Sequence, residues 1–232
     1  MVVSFFSLPV QFKRFDAVIS LGWNCYPAKY LKKHVKSTGS FFDYIGSPLW
    51  SIIHVIENNW EIMFNKEEYK LLDFYRPEFN IKKHGKPNNP YVYHLNYELS
   101  FPHDITTLSD VTPEFFSRIK GRIERFEQYC RFAKKLLFIR LQQKRDGLIV
   151  ENDNKTPEIE LLPSFIELIK SKYKRTQINM IFINTEKDGW NEDKTILFVK
   201  TNSLDSIKWD LADETIHKLF LSKNVYSQLN TS

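Results

Sequence analysis

Glycine and cysteine are scarce in this chain of 232 residues, and long apolar runs are missing. With 7 glycines and no GxxxxGK[ST] or GxGxxG run, a glycine-rich loop cradling a phosphate is excluded. Two cysteines, Cys25 and Cys130, are too few for a disulfide framework, and neither CxxC nor Cys/His metal spacing occurs, so no metal site and no cofactor are expected. No stretch reaches the roughly 18 apolar residues of a membrane span, and the opening MVVSFFSLPV has no basic region ahead of its apolar run. The expectation is a cytoplasmic protein with no signal peptide and no membrane contact.

What the chain does have is a core. Hydrophobic residues make up 42% and aromatics 15%, with 19 Phe and 11 Tyr, enough to exclude disorder and to fill one domain spanning 1–232. The net charge of +5 arises from 33 basic residues interspersed with 28 acidic ones. Its densest basic stretch, Arg118 to Arg145, reads as a solvated helix face, leaving nucleic acid an unfavoured partner.

Periodicity divides the chain into alternating strands and helices. Ala17–Leu21 is a short, β-branched apolar run ending at Gly22, and Pro27 opens a helix that stops before Ser37. Leu49–Ile56 reads as a buried helix. Thr112-Pro113 caps a helix whose apolar face is Phe115, Ile119, Ile123, Phe126 and Cys130. Strands follow at 135–140, 178–184 and 195–200, with a helix at 161–173 between the first two. Strands separated by helices predict a Rossmann-like three-layer α/β sandwich with a mainly parallel sheet and helices on both faces. Residues 60–105, rich in aromatics and proline, are expected to form an irregular insertion, with Tyr91–His94 a short strand candidate.

The sharpest local feature is Ser20-Leu-Gly-Trp-Asn-Cys-Tyr-Pro-Ala28, which sets Cys25 between a strand and a helix. That places its sulfur at the carboxyl edge of the sheet, where α/β proteins bind ligands. The helix N-terminus would favour the nucleophilic thiolate, although free cysteines are commonly small buried hydrophobes. Gly22 and Asn24 could supply oxyanion donors or be ordinary turn residues. Among six histidines, His103 stands out in Phe101-Pro-His-Asp104, beside a carboxylate. His34 and His84 flank lysines in stretches that look exposed, His54 reads as a core residue, and His94 is open to either role. Arg140, closing a strand, could bind a substrate carboxylate or phosphate, or pair with Asp43 or Asp104.

The ordered set Ile19-Ser-Leu-Gly-Trp-Asn-Cys25 with Ala28 and Leu31, Phe41-Phe-Asp-Tyr-Ile45, Phe101-Pro-His-Asp104, Arg122-Ile-Glu-Arg-Phe126 and Phe138-Ile-Arg140 resembles the papain-like cysteine peptidase family whose members are largely uncharacterised. The resemblance covers most of residues 16–145. It implies Cys25 as nucleophile, His103 as general base and Asp104 or Asp43 as the group orienting the imidazole. Phe41, Tyr44 and Ile105 stand where the family usually has proline, tryptophan and phenylalanine. The implied activity is hydrolysis or transfer at a peptide or other acyl bond.

A strand feeding straight into the cysteine turn is also similar to SGNH hydrolases, which suggests an esterase or glycan-modifying enzyme with cysteine in place of serine. Asp213 and His217 would then be a rival acid/base pair, but Asp213-x-x-x-His217 lacks that family's spacing, so His217 reads as a surface residue. A third reading is a non-enzymatic module binding a phosphate, nucleotide sugar or nucleic acid at the sheet edge. Substrate and oligomeric state are not legible.

Overall fold

The computed structural model describes residues 12–36, 39–72, 91–101, 112–142, 156–174, 177–204, 207 and 211–231. Four strands form its parallel core: β1 (Ala17–Ser20), β5 (Lys135–Leu141), β6 (Gln177–Asn184) and β8 (Ile196–Lys200). The short β7 (Gly189–Trp190) adds antiparallel to β8, giving the order β1-β5-β6-β8-β7. The register of β1 on β5 runs from Ala17↔Leu136 to Ser20↔Ile139. Asp16 anchors its start by accepting the N–H groups of Lys134 and Lys135 at 2.7 and 2.8 Å.

Because side chains alternate along a strand, the sheet feeds two apolar layers. Ala17, Ile19, Leu136, Phe138, Met180 and Phe182 point to one face, where α2 (Leu49–Glu57), α3 (Pro113–Phe132) and α4 (Glu158–Lys172) pack. Val18, Leu137, Ile139, Ile181 and Ile183 point to the other, covered by α1 (Tyr26–His34), α5 (Ala212–Ser222) and α6 (Val225–Thr231). The mixed α/β architecture with a mainly parallel sheet is thus as the sequence indicates. The strand order, however, grows in one direction from β1, without the reversal that creates the crevice of a doubly wound Rossmann sheet. Between β1 and β5 the chain sets α1 on the second face and α2 and α3 on the first, and between β5 and β6 it sets α4 on the first.

Local signals explain the long helix α3. Thr112 Oγ1 accepts the Phe115 N–H at 3.3 Å, Pro113 occupies the first turn, and Phe115, Ile119, Ile123, Phe126 and Cys130 form its buried stripe. Within residues 60–105 the strand candidate Tyr91–His94 is a strand. Their described part holds two short 3-10 turns and an antiparallel sheet of β2 (Tyr69–Leu72), β3 (Tyr91–His94) and β4 (Leu99–Phe101). Aromatic packing binds that sheet to the core, with Tyr69 edge-on to Phe115 at 5.4 Å and Phe101 edge-on to Phe115 at 5.4 Å.

Phe138 sits at the centre of the first layer, fully buried, 5.2 Å from the Phe165 ring and 6.4 Å from that of Phe126. Phe138→Ala is expected to cost about 3–5 kcal/mol of unfolding free energy, measured by urea denaturation, because rigid helices on that face cannot collapse into the void.

Candidate active site

At the carboxyl edge of β1 the chain turns through Gly22 and Trp23, both left-handed with φ of 69°, before Cys25 takes the N-cap position of α1. Only glycine fits at 22: a β-carbon there would collide with Ser47 Oγ and stand 2.9 Å from the carbonyl oxygens of Phe42 and Ile45. The turn is therefore pressed against the segment 42–47. Asn24 Oδ1 accepts the Tyr26 N–H at 3.0 Å, satisfying one open donor of the helix. The Gly22 N–H points to Ser20 Oγ at 3.3 Å. Gly22 and Asn24 thus both serve the shape of the turn.

Cys25 is half-buried, and burial pushes its thiol up to about 12. Its own backbone N–H and the Lys29 ammonium pull the other way, as a helix N-terminus should, but desolvation outweighs them. Burial thus opposes the thiolate that the helix N-terminus favours. Cys130, fully buried in α3, is likewise held well above an ordinary thiol.

Asp43 lies behind the same edge, buried, with Oδ2 accepting the Ser40 N–H at 2.9 Å. Burial raises its carboxyl to about 6, against the lowering effects of the Ser40 N–H, the Arg122 guanidinium, the Ser20 hydroxyl and Arg125. Arg125 also donates to the Gly39 carbonyl at 3.3 Å. Part of the basic face of α3 is therefore turned toward Asp43 rather than to solvent. The Tyr44 phenol is raised by burial first, then by Asp43 and Cys25, which marks all three as neighbours.

Arg140 is not on the surface. It is fully buried, donates to the Leu21 carbonyl, and pairs with Glu158 at the start of α4. Glu158 Oε1 also accepts the Leu49 N–H at 3.1 Å, one of the orphan donors of α2. Among the described residues the acid paired with this arginine is thus Glu158 rather than Asp43, and its guanidinium is buried away from solvent. Glu158 and Ser47 escaped the sequence reading because an acid in the first turn of a helix and a serine in a turn are both ordinary there.

His103 and Asp104 lie outside the described residues, as does His84. No histidine among the described residues acts on the Cys25 thiol. His54 is exposed beside Glu57 rather than in the core, because the apolar stripe of α2 passes it by. His94 is buried with its Nε2 3.5 Å from the Ile62 carbonyl. His34, expected in the open, stacks on His217 at 4.6 Å, and His217 bonds Tyr226 through Nδ1 at 2.9 Å. Among the described residues no group of three His, Cys, Asp or Glu is arranged to hold a metal, and no helix is long and apolar enough to cross a membrane.

The geometry defines an α/β protein presenting a cysteine at a strand-turn-helix junction, with a buried carboxylate behind it. A family model described as "Putative papain-like cysteine peptidase (DUF1796)" matches residues 16–188, and the chain belongs to that family. No curated protein and no solved structure matches it.

Titration of Asp43 gives a test of its burial. Its carboxyl is raised from 3.8 to about 6 on folding, so the ionised form is penalised in the folded state and the full cost applies above pH 6. Stability is expected to rise by about 2–3 kcal/mol as pH falls from 7 toward 4 through this group alone. In paired urea titrations across that range, Asp43→Asn should remove this rise. An unchanged slope would show that Asp43 is solvated.

Proposed function

We propose that the protein is a cysteine-nucleophile hydrolase or acyl transferase, with Cys25, His103 and an aspartate, Asp43 or Asp104, as its working groups. The observation that carries this reading is the position of Cys25 at the helix-forming turn of β1, inside the segment that matches the family. A thiol held near 12 needs a dedicated proton acceptor, and a papain-like site supplies one as an imidazole. His103 follows β4 by two residues, and β4 is tied to the Cys25 side of the molecule by the reciprocal 2.9 Å bonds of Gly46 and Ser100.

In this scheme the imidazole of His103 takes the thiol proton as Cys25 Sγ attacks a substrate carbonyl carbon. The tetrahedral oxyanion is met by donors of the turn, the Cys25 N–H and the Asn24 side-chain amide. Collapse expels the leaving group, which receives the proton from His103, and leaves an acyl group on sulfur. Water, or a second acceptor nucleophile, then releases the acyl group by the reverse proton path. Arg140 acts through the Leu21 carbonyl and does not touch substrate. Peptide, ester and glycan-linked acyl groups all offer the required carbonyl. Two free thiols accord with a reducing, cytoplasmic setting.

A peptidyl epoxide should label Cys25 and spare Cys130, with the position read by peptide mass spectrometry. His103→Ala is expected to slow that labelling by about 100-fold or more. Equal, slow labelling of both thiols, indifferent to His103, would contradict the enzyme reading.

A further inference from the structure

Trp23 is a bulky residue in the left-handed region, a strained conformation that persists only where surrounding contacts impose it. The contacts that impose it converge on one side chain. Ser47 is fully buried, accepts the Trp23 N–H at 3.4 Å and donates to the Leu21 carbonyl at 3.3 Å, so one hydroxyl spans the turn from the residue just past β1 to its strained one. It also fills the space that a side chain at Gly22 would need. Ser47 is itself fixed on either side, by the Gly46 to Ser100 bridge and by Pro48, the N-cap residue of α2.

We propose that Ser47 is the positioning residue of the nucleophile turn: its hydroxyl holds Trp23 left-handed and thereby aims the Cys25 sulfur. The proposal rests on the reading of Cys25 as nucleophile. Ser47 never touches the reacting atoms. It works by removing alternative paths of the chain between Leu21 and Cys25, in the way that a strained strand-to-helix turn presents a nucleophile in other α/β enzymes. Without the hydroxyl, Trp23 can relax to negative φ and carry the next two residues with it.

The test compares wild type, Ser47→Ala and Ser51→Ala. Ser51 is an equally buried serine on α2 whose hydroxyl finds no hydrogen-bond partner among the described residues, so it controls for loss of a buried hydroxyl as such. Amide exchange at Trp23, followed by NMR, is expected to accelerate about tenfold or more in Ser47→Ala and to stay at the wild-type rate in Ser51→Ala. With the peptidyl epoxide, the limiting inactivation rate should fall about tenfold in Ser47→Ala while the half-saturating concentration is kept, since geometry and not binding is lost. Iodoacetamide, which alkylates the thiolate without needing the peptide-directed approach of the epoxide, should react at a rate changed by less than about threefold. Unchanged Trp23 exchange, or unchanged epoxide inactivation in a wild type that is itself labelled, would overturn the assignment of Ser47 and leave Cys25 as nucleophile. A wild type that the epoxide never labels would instead overturn the nucleophile reading, and any catalytic positioning with it.

Discussion

The buried ion pair between Arg140 and Glu158 is the constraint on which the arrangement at the sheet edge depends. Its two members come from β5 and α4, and their remaining bonds reach the end of β1 and the start of α2. Four elements therefore meet at one guanidinium and one carboxylate, both inside the protein. Such a pair gains little net stability, because taking two charges out of water costs about what their attraction returns, yet losing one partner leaves an uncompensated charge in the interior. Its contribution is geometric: the Leu21 carbonyl, one residue ahead of the Gly22 turn, receives both Arg140 and Ser47.

Around this fixed point the site combines two opposed electrostatic demands. The N-terminus of α1 and Lys29 favour a charged sulfur, while burial favours a neutral one, and burial wins in the resting protein. Asp43 experiences the same conflict, with Arg122 and Arg125 unable to offset its desolvation fully. Ionising such a sulfur calls for a base delivered to it, the role assigned above to an imidazole.

Much of this was legible in the residues, for identifiable reasons. The parallel strands are continuous apolar runs, and the caps and prolines that start α1 and α3 act through contacts with immediate sequence neighbours. The position of Cys25 followed from the same local logic. What could not be read was the long-range pairing. Glu158 answers Arg140 across 18 residues and Ser47 answers Leu21 across 26, and neither partner has a local signature that distinguishes it. The desolvation of Cys25 was hidden for a related reason: a helix N-terminus is visible in sequence, whereas the burial opposing it depends on everything packed around the sulfur. The stacked His34 and His217 were hidden in the same way, since α1 and α5 lie far apart in the chain. Of the small sheet β2-β3-β4, the strand Tyr91–His94 was legible as a short β-branched and aromatic run, whereas its pairing with β2 and β4 is long-range and leaves no local signature.

The account as a whole stands on the Arg140–Glu158 pair fixing the end of β1, and a double-mutant cycle measures that most directly. Unfolding free energies of Arg140→Met, Glu158→Leu and the double variant, taken in urea at pH 7, should show each single change costing about 3–5 kcal/mol and the apolar double change costing far less than their sum. Additive costs, or single changes within about 0.5 kcal/mol of wild type, would contradict it by showing that the two side chains do not act on one another inside the protein.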